Sequence, residues 1–167
     1  YTGPHTQVFP KDFRSAFSNQ ALAELGFVVM TVDGRGSAGR SKAFHNFSYK
    51  NLGGGLEDHI HALRQLAERY SWIDTTRVGI FGHSAGGYDA GRAVLKYPEF
   101  YKVAVASSAD HDHRMEKAWW PEMYMGWPVD SAYHLQSNIT NAANLKGKLL
   151  LVHGGIDENV NPSATFK

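Results

Sequence analysis

The most constraining feature of the chain is the pentapeptide Gly82-His83-Ser84-Ala85-Gly86, placed directly after the apolar run Val78-Gly79-Ile80-Phe81. That run is short and carries β-branched and aromatic side chains, the composition of a buried strand. The segment from Gly86 to Leu95, with Tyr97-Pro98 behind it, reads as a helix stopped by proline. A strand that enters a helix through so few residues must turn sharply, and the turn lifts the Ser84 hydroxyl clear of the sheet. Strand and helix then approach closely, so the positions two before and two after the serine must be nearly free of side chain. Gly82 and Gly86 meet that demand. Ser84 is therefore a candidate nucleophile, and the helix start aims the Ala85 backbone N–H at the same place, one donor for an oxyanion. His83 reads as a packing residue, because neighbours on a tight turn point apart.

Three further apolar runs have the same character: Phe27 to Val32, Val103 to Ala106 and Leu149 to Val152. Helical spacing marks residues 13 to 25 (Phe13, Phe17, Ala21, Leu25, then Gly26) and 56 to 70 (Leu56, Ile60, Leu63, Ala67). Strands separated by helices imply right-handed crossovers and a parallel sheet with flanking helices, an α/β fold. The stretch from Asp110 to Lys146 reads as irregular and holds every tryptophan but Trp72.

Composition closes off several classes. At 167 residues and 43% hydrophobic content the chain is one domain with a real core. A net charge of +1 supplies no bulk field for nucleic acid or an anionic membrane surface. The absence of cysteine removes disulfides, thiolate catalysis and Cys-based metal sites. No apolar run approaches the roughly 20 residues of a membrane helix. The opening Tyr1-Thr2-Gly3-Pro4, without an initiator Met or a signal peptide, reads as the start of a piece cut from a longer α/β domain, truncated at both ends and exposing at least one sheet edge.

Two patterns mimic other functions. Gly34-Arg35-Gly36-Ser37-Ala38-Gly39 follows an apolar run and has Glu57 and Asp58 about 20 residues on, as a dinucleotide site would. The fingerprint must open a helix directly, however, and residues 40 to 49 show no apolar period, so the loop reads as structural. Asp110-His111-Asp112-His113 and His59-x-His61 have neither the H-E-x-x-H spacing nor an evident third ligand, and read as solvated or locally hydrogen-bonded loop groups. No cofactor and no metal is expected. Asn46-Phe47-Ser48 and Asn138-Ile139-Thr140 match the glycosylation sequon by pattern only.

Asp157 follows the last apolar run by a short loop, which places it at the carboxyl edge of the sheet with Ser84, in the chain order Ser then Asp. On the residues alone, after Gly154-Gly155, an aspartate making a local turn is the better reading. With these motifs together, the sequence resembles the peptidase domain of the prolyl oligopeptidase family, closest to its dipeptidyl peptidase IV-like branch, an α/β-hydrolase fold. Tyr1-Thr2-Gly3-Pro4, Asp33-Gly34-Arg35-Gly36-Ser37, Gly82-His83-Ser84-Ala85-Gly86-Gly87-Tyr88 and His153-Gly154-Gly155-Ile156-Asp157-Glu158-Asn159-Val160 match that family's segments in order.

The resemblance implies a serine peptidase acting through an acyl-enzyme, with Ser84 and Asp157 catalytic, the Tyr1 hydroxyl and Ala85 N–H as oxyanion donors, and Asn159 and Val160 at the substrate. Glu116 and Trp120 fall where that branch has two pocket tyrosines, so a preference for proline does not carry over. The triad histidine would lie beyond residue 167, leaving this chain alone with little turnover. An esterase of the same fold and a noncatalytic binding module remain alternatives. The implied partners are a peptide substrate and a propeller-like domain earlier in the parent chain, with room for a homodimer. The residues leave the compartment open, and the resemblance slightly favours an extracytoplasmic one, periplasmic or secreted.

Overall fold

The computed structural model describes residues 19–167. In chain order the elements are α1 (Asn19–Glu24), α2 (Lys42–Asn46), a 3₁₀ turn (Leu52–Gly55), α3 (Leu56–Arg69), β1 (Val78–His83), α4 (Ala85–Lys96) and β2 (Tyr101–Ser107). There follow α5 (Trp119–Met125), α6 (Ser131–Gln136), a 3₁₀ turn (Ala142–Asn144), β3 (Lys148–Val152) and α7 (Ser163–Phe166). The strands form one parallel sheet in the order β1-β2-β3. The α/β arrangement expected from the alternating patterns is the one observed. Of the expected helix over residues 13 to 25, only α1 falls among the described residues, and Phe13 and Phe17 lie outside them.

Small side chains decide how closely α4 meets the sheet. Ile80, Ala104 and Leu149 form one cross-strand row facing the helix, and Gly82, Ala106 and Leu151 the next. Ala104 and Ala106 are fully buried against Ala90, Ala93 and Val94 of α4. A methyl added at Gly87 would come within 2.7 Å of the Ser107 carbonyl, so only glycine fits there. Leu56 and Ile60 of α3 complete this core with Phe100 and Tyr101. A second cluster, Leu52, Tyr88, Met125 and Tyr133, joins α4 to α5 and α6.

Three sequence expectations change. Residues 27 to 32 form neither strand nor helix, and Phe27 is 63% exposed. A strand needs a neighbour's N–H and C=O groups to complete its ladder. No described strand lies beside this segment. The strands also do not read as buried on both faces: Phe81 (58% exposed), Val103, Leu150 (57%) and Val152 point away from α4 to a face no described residue covers. The "irregular" stretch after β2 holds α5 and α6, whose helices are short and rich in aromatic and polar side chains, so apolar periodicity could not reveal them.

Candidate active site

The junction of β1 and α4 has the geometry the glycines require. Ser84 takes φ 58° and ψ −123°, a conformation a side chain resists, and is held there by its N–H donating to the Ser107 carbonyl at 2.9 Å. A Cβ on Gly82 would penetrate the Gly86 carbonyl group, so the close pass excludes any larger residue. Ala85 opens α4, and its N–H is among the first four that have no acceptor within the helix. His83 is on the opposite side of the sheet, its Nδ1 3.2 Å from the Ser107 hydroxyl, as the turn predicts.

A cavity of about 120 Å³ opens beside this turn. Ser84, Ala85, Glu116, Trp120, Asn159 and Val160, six residues singled out in the sequence, all line it. Tyr1 lies outside the described residues. Asp157 is not on the cavity wall but behind Asn159 and Val160: its Oδ1 accepts both of their backbone N–H groups at 2.9 Å. These donors, with the Ser108 hydroxyl, hold its carboxyl below the usual Asp range. Its Oδ2 is 3.5 Å from His153 Nε2. That ring is committed elsewhere, with Nε2 3.1 Å from the Val160 carbonyl and Nδ1 2.7 Å from the Thr165 hydroxyl. The local-turn reading of Asp157 and its placement at the sheet's carboxyl edge are thus both true.

The sequence reading missed Tyr88, Asp89, Asp110, His113 and Lys117, which complete much of the wall. Tyr88 and Asp89 stand one helical turn after Ser84 and Ala85, a spacing that could have revealed them. Asp110 to His113 is a correction. These residues are not solvated but buried, His113 to 2% exposure, with the His113 ring packed on Tyr88 of α4, ring centroids 4.5 Å apart, and the His111 ring against Gly91 of the same helix. Asp110 Oδ2 is 2.6 Å from His113 Nδ1, Asp112 pairs with Arg114 and accepts from Ser137 Oγ at 2.9 Å, and the Asn138 N–H donates to the His111 carbonyl at 2.8 Å. Among the described residues no three His, Asp or Glu side chains are arranged to hold a metal. Burial raises the Glu116 carboxyl above its ordinary value, while Lys117 reaches across to the Asn159 side-chain oxygen at 2.6 Å and closes the wall.

The glycine-rich loop after residue 33 is structural. Asp58, which in a dinucleotide site would meet a ribose, instead accepts the Arg35 backbone N–H at 2.6 Å and its guanidinium at 3.0 Å. The next helix, α2, starts only at Lys42 and is one turn long, capped by Ser41.

Residues 13–167 match the model of the prolyl oligopeptidase family. The chain belongs to that family. It is 36% identical to human dipeptidyl peptidase 8, over 96% of this chain and 19% of that protein. It is 29% identical to venom dipeptidyl peptidase 4 of Apis mellifera, over 99% of this chain and 22% of that protein. The crystal structure of Porphyromonas gingivalis dipeptidyl peptidase 4 superposes with a TM-score of 0.88 at 30% identity, covering 99% of this chain and 24% of that one. The fold is therefore the α/β-hydrolase fold of the prolyl oligopeptidase family, and the chain spans about a fifth of the length of these relatives. No helix among the described residues is long and apolar enough to cross a membrane.

Proposed function

We propose that this chain carries the nucleophile side of a serine peptidase. The observation that carries the reading is Ser84, held at positive φ at the head of α4 and opening on a cavity it shares with Ala85. Ser84 Oγ bonds to the peptide carbonyl carbon while a histidine base takes its proton. The Ala85 N–H and the Tyr1 hydroxyl hold the oxyanion, and the C–N bond then breaks as the base protonates the leaving amine. Water cleaves the resulting ester by the same steps in reverse and restores Ser84. Asp157, anchored by backbone donors, orients the base. Neither His83 nor His153 takes that part, since both rings are turned to other partners away from the cavity. Glu116, Trp120, Asn159 and Val160 receive the substrate. A propeller-like domain and a homodimer belong to the same reading, and the parent chain's sequence and sedimentation of the full-length protein test them.

The experiment is fluorophosphonate labelling of the full-length protein together with the Ser84→Ala variant. Labelling at Ser84 and a loss of at least about 10³-fold in peptide kcat/KM, with unfolding behaviour unchanged, are the expected results. Residual activity above about a thousandth of wild type would remove Ser84 from the mechanism. Comparing an ester with an anilide of the same acyl group separates peptidase from esterase.

A further inference from the structure

Backbone strain marks a second serine. Among the described residues, Lys50, Ser84 and Ser108 are the non-glycine residues with positive φ, and Ser108 takes 43°. An L side chain is costly in that conformation and glycine would remove the cost, so a serine kept there points to work done by its hydroxyl. Its place in the sheet says where. β2 is the middle strand, and its last residue, Ser107, pairs with His83 on one side and Val152 on the other. The carboxyl ends of three adjacent parallel strands thus lead to Ser84, Ser108 and, in the loop after β3, Asp157. The Ser107 carbonyl accepts the Ser84 N–H at 2.9 Å, and the Ser108 N–H donates to the Val152 carbonyl at 2.7 Å. One peptide unit therefore ties the nucleophile's turn to the strand that leads to the acid. Glycine at 108 could make both of those bonds.

What glycine could not offer is the hydroxyl. A carboxylate has room for about four donors. Oδ1 of Asp157 takes the Val160 and Asn159 backbone N–H groups at 2.9 Å. Those two donors, and after them the Ser108 hydroxyl, favour the ionised carboxyl. One site is then left for the N–H of a histidine base. His153 does not take it, because its Nε2, 3.5 Å from Oδ2, lies nearer the Val160 carbonyl at 3.1 Å. Neither Ser108 nor Asp157 lines the cavity, so the hydroxyl meets no substrate. We propose that Ser108 is a positioning residue for the acid of the triad: from the end of the middle strand its hydroxyl fixes the Asp157 carboxylate so that one oxygen faces the base. Its effect reaches the reaction through Asp157.

This inference rests on the peptidase reading of Ser84 and Asp157. Its test compares full-length wild type, Ser108→Gly, Ser108→Ala, Asp157→Asn and the double variant Ser108→Gly with Asp157→Asn, on one peptide anilide that the wild type cleaves. Glycine suits the backbone at 108 better than alanine, so Ser108→Gly should stay near the wild-type denaturant midpoint and Ser108→Ala should fall below it. Both should nevertheless lose kcat by on the order of 10-fold to 10²-fold with KM little changed, the scale of one hydrogen bond to a charged group. Either variant alone gives this kinetic reading. In the Asp157→Asn background Ser108→Gly should cost almost nothing more, because the two residues act as one unit. Wild-type kcat in Ser108→Gly would reduce the serine to a turn residue and overturn the inference. A loss confined to KM, or losses that multiply in the double variant, would overturn it too. A wild type that cleaves no anilide and takes no fluorophosphonate at Ser84 defeats the peptidase reading itself.

Discussion

On the α4 side of the cavity the backbone sets the shape, whereas on the side of residues 110–120 side chains do. Ser84 and Ala85 are where they are because Gly82, Gly86 and Gly87 let strand and helix nearly touch, and a methyl at Gly82 or Gly87 would strike main-chain atoms. The opposite wall has no such steric frame. It is held by Asp110 against His113, Asp112 against Arg114 and Ser137, and the Asn138 side-chain amide against the Tyr88 carbonyl at 3.0 Å. Those partners are up to 50 residues apart in the chain. A backbone-built turn is rigid and admits no larger residue at its glycines. A polar wall can exchange residues, and with them specificity, as long as each buried group keeps a partner.

The largest effect expected is from breaking the first wall. Gly82→Ala places a methyl against the Gly86 main chain, with no flexible side chain to yield. The expected cost is about 3 kcal/mol or more, at the upper end for overpacking, together with loss of fluorophosphonate labelling at Ser84. Denaturant midpoints and labelling of the full-length variant measure both. Wild-type stability and labelling would mean that the close pass of β1 and α4 does not define the turn.

That contrast also explains what could be read in advance. The glycines flanking Ser84 obey a local steric rule, so the pentapeptide sufficed for the turn, and the 56 to 70 periodicity sufficed for α3, which spans Leu56–Arg69. The run at 27 to 32 carried strand composition, but a ladder depends on a neighbour, and sequence composition is silent about that. Glu116, Trp120, Asn159 and Val160 were reached through motif resemblance, and the cavity brings all four to Ser84. Asp89 was legible only through its place one helical turn after Ala85, and nothing local marks a histidine beside two aspartates as buried. His113 is buried against Tyr88 of α4, ring centroids 4.5 Å apart, a contact made across the fold rather than along the chain.

The polar wall should be sensitive to acid in a way the glycine turn is not. Burial pushes His111 down to about 4 from an ordinary 6.5, opposed by Asp110 and assisted by His153. Its Nδ1 is 3.1 Å from the Asn138 amide nitrogen, an N–H donor, so the ring must stay neutral to accept. A histidine whose folded value is depressed binds a proton more readily when unfolded. Its contribution is intact above pH 6.5, falls away as the pH drops towards 4, and is gone below that. The shift corresponds to about 3 kcal/mol of stability across the window. His111→Gln should therefore flatten the pH dependence between pH 6.5 and 4 by an amount of that order, read from urea unfolding of both proteins at each pH. Parallel curves for the two proteins would show that His111 is charged or solvated in the fold.

The smallest effect expected is also the one that tells most about specificity. Trp120 lines the cavity and stacks edge-on with Tyr124, ring centroids 4.5 Å apart, and with Trp119 at 5.9 Å. Because α5 and the Tyr124 stack position the ring, Trp120→Ala removes an aromatic face from the pocket while leaving the Asp110 to Ser137 network in place. A substrate side chain long enough to lie on that face should lose about tenfold in kcat/KM, the scale of one aromatic contact, and alanine at the same position should lose less because it reaches the ring poorly. The measurement is the ratio of kcat/KM for norleucine and alanine anilides in wild type and variant. A fall shared equally by both would assign Trp120 to holding α5 in place rather than to receiving the substrate.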